Sequence, residues 1–122
     1  PSCDALPYVC RFVEMKRHAL AEARSLALHH AVWARLQAEP TLLERVRERL
    51  VLWRADASQP QVYVEAWLRL VTGPPEALRA ALTGEGEEAR ALRQATPFAG
   101  IVDARERWRI WAETQACEAE SA

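Results

Sequence analysis

At 122 residues, with 50% hydrophobic and 27% charged side chains, the chain has the length of one domain and the make-up of an ordinary globular protein. It can bury roughly two-thirds of its unfolded surface, so it needs no covalent staples. A formal net charge of −1 gives no strong non-specific pull toward nucleic acid or anionic lipid. With no signal-peptide pattern and no apolar run of about 18 residues, the sequence reads as cytoplasmic and without a membrane span.

Basic residues are almost all arginine, Lys16 being the only lysine. With so much Ala, Leu and Glu, this bias suggests a GC-rich bacterial coding sequence. The three cysteines, Cys3, Cys10 and Cys117, are an odd number, so reduced thiols are expected rather than a disulfide framework.

Prolines and glycines punctuate the chain at helix-sized intervals. Residues 1–14 precede the only methionine, Met15, and read as a leader, native or added, that Pro7 ends. A helix is expected from about Phe12 to Ala38, its stripe drawn by Phe12, Ala19, Ala23, Leu26, His30 and Trp33. Ser25 is a candidate interruption, and Pro40 a stop. Thr41-Leu42-Leu43-Glu44 has the form of a capping box. It opens a second helix to about Ala55 with Leu43, Val46, Leu50 and Trp53 on its apolar face.

After the connector Asp56 to Pro60, a third helix is expected over Gln61 to Thr72. Val62 and Val64 leave its start ambiguous with a strand. The three-to-four spacing of Tyr63, Trp67, Leu70 and Val71, and the lack of a second strand, favour helix. Gly73-Pro74-Pro75 breaks it and starts a short fourth helix with Leu78 and Leu82 inward, ended by Gly84 and Gly86. Glu85, Glu87 and Glu88 suit the start of a fifth helix, which runs to about Ala95 through Ala89 and Leu92. Thr96 to Gly100 is a turn. Asp103 caps a last helix that carries Ala104, Trp108, Trp111 and Gln115 in line. The expected fold is all-α: a compact bundle of five or six short helices crossing at angles, with residues 15–117 as one domain and 118–122 as a frayed tail.

Candidate chemistry is sparse. His18, His29 and His30 all lie in the first helical region. Glu14, His18 and Glu22 share a face, but a metal site draws three or four ligands, usually from more than one helix, so a solvated face is the expectation. His30, on the apolar stripe, reads as a hydrogen-bonded core residue. Paired with His29 as acid and base it would need an acidic partner that the spacing does not supply. Cys10 has no base beside it in sequence, and the glycine patterns of phosphate loops and nucleophile elbows are missing. The expectation is a non-enzymatic protein with no catalytic residue, no metal and no cofactor.

Two binding readings follow, with a metal- or small-molecule-binding protein third. Trp and Arg are the residues enriched at binding hot spots. Arg105, Trp108, Arg109 and Trp111 are therefore the expected contacts with another protein or a second copy of the chain, although the two tryptophans can equally be internal. A small nucleic-acid-binding regulator would use Arg45, Arg49 and Arg54, although Glu44 and Glu48 offset them. A helix-turn-helix from the second and third helices has too long a connector.

The run Arg93, Gln94, Pro97, Phe98, Ala99 and Gly100, followed by Glu106, Arg107, Trp108 and Arg109, resembles a C-terminal signature of small, uncharacterised bacterial helical proteins. Some of these are antitoxin-like companions of toxins. The similarity extends back to about Leu26. The resemblance implies a partner-binding protein. The same run also reads as a turn, in which Pro97 stops a helix, Phe98 pins the loop and Gly100 allows positive φ.

Overall fold

The computed structural model describes the backbone of residues 2–121 and the side chains of residues 17–117. Six helices follow in order: α1 (Ser2–Ala38), α2 (Leu42–Arg54), α3 (Gln61–Thr72), α4 (Pro75–Thr83), α5 (Glu87–Gln94) and α6 (Ala104–Ser121). No strand occurs among the described residues, so Val62 and Val64 are helical. α2 and α3 form an antiparallel pair through the Asp56 connector. α1 packs against α4, α5 and α6, and α3 packs against α4 and α5.

No Gly or Pro falls between Tyr8 and Glu39, and α1 runs through Ser25 without a break. The interruption expected at Ser25 does not form. Pro40, which has no N–H to give, ends the helix. The side chains of the expected leader, including Cys3, Cys10 and Glu14, lie outside the described residues, as do those of the expected tail.

The buried face of α1 differs from the expected stripe. His29, Val32 and Leu36 are buried, whereas His30 is exposed and Leu26 and Trp33 are half-buried. The face is rotated by one residue, about 100°. Apolar residues fill most of the circumference over Leu26–Leu36, so spacing alone does not select one stripe. Trp33 lies toward the rim with its ring 6.0 Å from the Arg79 guanidinium carbon.

The expected capping box at α2 does not form either. Thr41 is itself helical (φ −63°, ψ −20°) and makes no side-chain cap. The first amides instead bond back to Glu39, Pro40 and Thr41 carbonyls at 3.1–3.2 Å, and Glu44 turns to Arg47. Asp103 does cap α6, its Oδ1 accepting from Glu106 N–H at 2.8 Å.

The core gathers Val32 and Leu36 of α1, Leu42, Val46 and Leu50 of α2, Val64, Trp67 and Val71 of α3, Leu78 and Leu82 of α4, Phe98 and Val102 of the last connector, and Ile110 of α6. Trp67 is its centre. It is fully buried, its indole N–H donates to Leu92 O at 2.9 Å, and Phe98 meets it edge-on at 5.3 Å. Gly84 sits where α4 meets α5: a Cβ there would clash with the backbone oxygen of Ala80, so no larger residue fits without a backbone shift.

Phe98→Ala should cost about 3–5 kcal/mol through lost burial and the cavity left beside Trp67. Val62→Ala, at a position 79% exposed, should stay within about 0.5 kcal/mol of wild type. Urea unfolding of the two variants separates these outcomes, and a Phe98→Ala cost under about 1 kcal/mol would contradict this description of the core.

Candidate functional site

The last connector is where polar chemistry concentrates. Thr96 to Gly100 is non-helical chain set among helices, with Pro97 and Phe98 buried. Buried backbone groups must find partners, and side chains from several helices supply them. Arg49 of α2 donates to Pro97 O at 2.9 Å. Arg107 of α6 donates to Ala99 O at 2.8 Å. Arg93 of α5 reaches back to α4, its Nη1 donating to Gly84 O at 2.6 Å and Ala81 O at 3.2 Å. These bonds close the C-terminus of α4, where a cation also favours the helix dipole. Burial, and then the neighbouring Arg90 charge, lower the Arg93 pKa; a guanidinium still stays charged at neutral pH.

Gly100 does not adopt positive φ; no described glycine does. Its role is space, since a Cβ would lie 3.2 Å from Nη2 of Arg49. The expectation of left-handed backbone at Gly100 is corrected accordingly.

His29, rather than His30, is the buried histidine. Its Nδ1 lies 2.6 Å from Ser25 O and its Nε2 lies 2.8 Å from Thr96 Oγ1. A carbonyl can only accept, so Nδ1 carries the proton and Nε2 accepts from the Thr96 hydroxyl. Thr96 Oγ1 in turn accepts from Phe98 N–H at 3.1 Å. In the neutral ring these bonds are all satisfied, and it is burial that favours the neutral form. Burial pushes the His29 pKa down from 6.5 to about 4; the Ser25 bond opposes this and the Arg93 charge adds to it. His30, expected as the hydrogen-bonded core histidine, is exposed instead, one residue round the helix from His29.

The four residues expected to contact a partner lie along one arc of α6. At 100° per residue, Arg105, Trp108, Arg109 and Trp111 span about 160°. Ile110, on the far side, takes the core position. The Trp line expected along α6 is therefore not its core face. Trp108 is 71% exposed. Trp111 is 39% exposed and is held from α1 by Arg24, whose guanidinium carbon lies 5.4 Å from the ring centre. Arg24 also donates to Gln115 at 3.4 Å. Arg109 stands between Glu106 at 3.7 Å and Glu113 at 3.9 Å. Arg105 is exposed and forms no ion pair with a described residue.

The arginines of α2 divide. Arg54 leaves the group, donating to both oxygens of Glu65 at 2.8 and 3.2 Å. Arg45 and Arg49, one turn apart, border a cleft of about 580 Å³ together with Arg35 at the end of α1. Arg35 carries no sequence signal for this role, because nothing local marks which residues the α1–α2 corner will face. His18 is exposed, and Glu22 lies 3.6 Å from Arg90. Among the described residues no three His, Cys, Asp or Glu side chains converge as metal ligands do, and no helix is long and apolar enough to cross a membrane.

No protein family, curated protein or solved structure matches this chain.

Because the folded pKa of His29 lies below the unfolded value, the unfolded chain takes up that proton first. Its contribution to stability is complete above about pH 6.5 and is lost as the pH falls toward 4, by about 3 kcal/mol in all. Urea midpoints between these limits should fall with pH in wild type and fall less steeply in His29→Gln. Equal slopes would contradict the buried neutral ring.

Proposed function

We propose that this chain is a non-enzymatic, partner-binding helical domain whose contact surface is the outer face of α6. The observation that carries the reading is Trp108, a large aromatic 71% exposed on a helix whose core position is filled by Ile110. Exposing an indole to water forgoes burial that would otherwise stabilise the fold. A second protein surface, from another protein or from a second copy of the chain, recovers it. Arg105, Arg109 and Trp111 surround it with the residue types that dominate binding hot spots.

The resemblance of Arg93–Gly100 and Glu106–Arg109 to antitoxin-like bacterial proteins adds a regulatory sense to this reading. The odd cysteine number favours a cytoplasmic setting. Binding to nucleic acid through Arg45, Arg49 and Arg54 has weaker support. Arg54 is engaged by Glu65, and Arg45 and Arg49 border a concave cleft shared with Glu39 and Asp103 rather than an open basic face.

Trp108→Ala should leave the far-UV helical signal and the unfolding midpoint within error of wild type. The same change should weaken association by about 2 kcal/mol or more, roughly thirtyfold. Quantitative capture from a nuclease-treated lysate, together with sedimentation of the isolated protein, reads both kinds of partner. Unaltered association, or a collapse of helicity in the variant, would overturn the proposal.

A further inference from the structure

The cleft at the α1–α2 corner has a construction that the partner-binding face does not use. Its lining mixes polar residues with the apolar Leu42, Val46 and Ile101, Leu42 and Val46 being 7% and 2% exposed. Its rim carries three guanidinium groups from two helices, Arg35, Arg45 and Arg49. Arg49 is fixed by its bond to Pro97 O and by the close approach that Gly100 permits. Arg35 and Arg45 form no ion pair with a described residue. Two carboxylates also border the cleft, Glu39 and Asp103. Asp103 is committed to the α6 N-terminus, where Glu106 N–H and the helix dipole offset its charge. Glu39 stands against the three arginines. The balance at the rim is positive.

A volume of about 580 Å³ lies within the range of small-molecule sites, which are typically about 300–1,000 Å³ with an apolar lining and a few convergent polar groups. A flat carboxylate takes up one guanidinium fork. Three guanidinium groups bordering one cleft suit a tetrahedral dianion, which offers three terminal oxygens. The concave shape and the carboxylates of Glu39 and Asp103 on its border favour a compact ligand over a nucleic-acid strand, which needs an open, continuous basic track.

We propose that this cleft binds a small organic phosphate monoester, with the phosphate on Arg35, Arg45 and Arg49 and the organic group on Leu42, Val46 and Ile101. Gly100 and Asp103, which immediately precede α6, also border the cleft. Occupancy therefore touches the helix that carries Trp108 without covering its outer face.

Phenyl phosphate is the probe, with inorganic phosphate, benzoate and a short single-stranded RNA as comparators. Backbone amide shifts in nitrogen-15 spectra of the full chain give both location and affinity. Phenyl phosphate should produce saturable shifts at Leu42, Gly100 and Ile101, with a Kd of about 1 mM or tighter. Arg35→Gln/Arg45→Gln, both at exposed positions, should weaken binding about tenfold or more. Glu39→Gln should tighten it and gives an independent readout should the double variant fold poorly. Four results would overturn the inference: no saturable shift, undiminished binding by the double variant, inorganic phosphate or benzoate binding as tightly as phenyl phosphate, or RNA binding at these residues where phenyl phosphate does not.

Discussion

Everything else in this molecule is arranged around one short non-helical segment, Thr96 to Gly100. An irregular stretch inside a helical protein brings backbone groups that no helix satisfies. Here each neighbour contributes a part. α1 offers His29 to Thr96 at 2.8 Å, α2 offers Arg49 to Pro97 O at 2.9 Å, and α6 offers Arg107 to Ala99 O at 2.8 Å. Phe98 then places its ring edge-on against Trp67 of α3. The apolar contact supplies burial, while the polar contacts set where each helix must sit. A buried polar group is costly to leave without its hydrogen bond, and His29, buried on α1, finds its partner in Thr96 of this segment.

This gives the run Arg93 to Arg107 a structural meaning residue by residue. Arg93 closes α4, Pro97 and Phe98 fill the centre, Gly100 makes room for Arg49, and Arg107 holds the exit of the turn. Trp108 and Arg105 take no part in this. They stand on the solvent side of a helix whose inner side is already committed. The fold thus accounts for the motif up to Arg107 and leaves the next residue without an internal task, which is why the partner-binding proposal falls on α6.

Boundaries set by Pro40, Pro60, Pro74 and the glycines are readable because these residues act locally, and the limits of α3 and the cap at Asp103 match the spacing; the start of α1 does not, since the helix begins at Ser2 and runs through Pro7 instead of starting near Phe12. Facing was harder to read. Between Leu26 and Leu36 apolar side chains surround α1, and the choice of His29 over His30 is made by Thr96, 67 residues away. On α6 two tryptophans outweigh one isoleucine in any hydrophobic pattern, yet Ile110 is buried and Trp108 is not. The box at Thr41 does not form because Thr41 is itself helical and the Leu43 and Glu44 amides it would cap already bond to the Pro40 and Thr41 carbonyls. The third arginine of the cleft was invisible for the same reason as His29: long-range packing, not local pattern, brings Arg35 beside Arg45 and Arg49.

The central claim is that the outer face of α6 is an interaction surface, and site-specific photo-crosslinking in living source cells tests it most directly. A photoreactive amino acid at position 108 should give a discrete adduct, either with one other protein or with a second copy of the chain. The same group at position 62, which is 79% exposed on α3, should give none. Absence of an adduct from position 108, or the same adducts from both positions, would contradict the account.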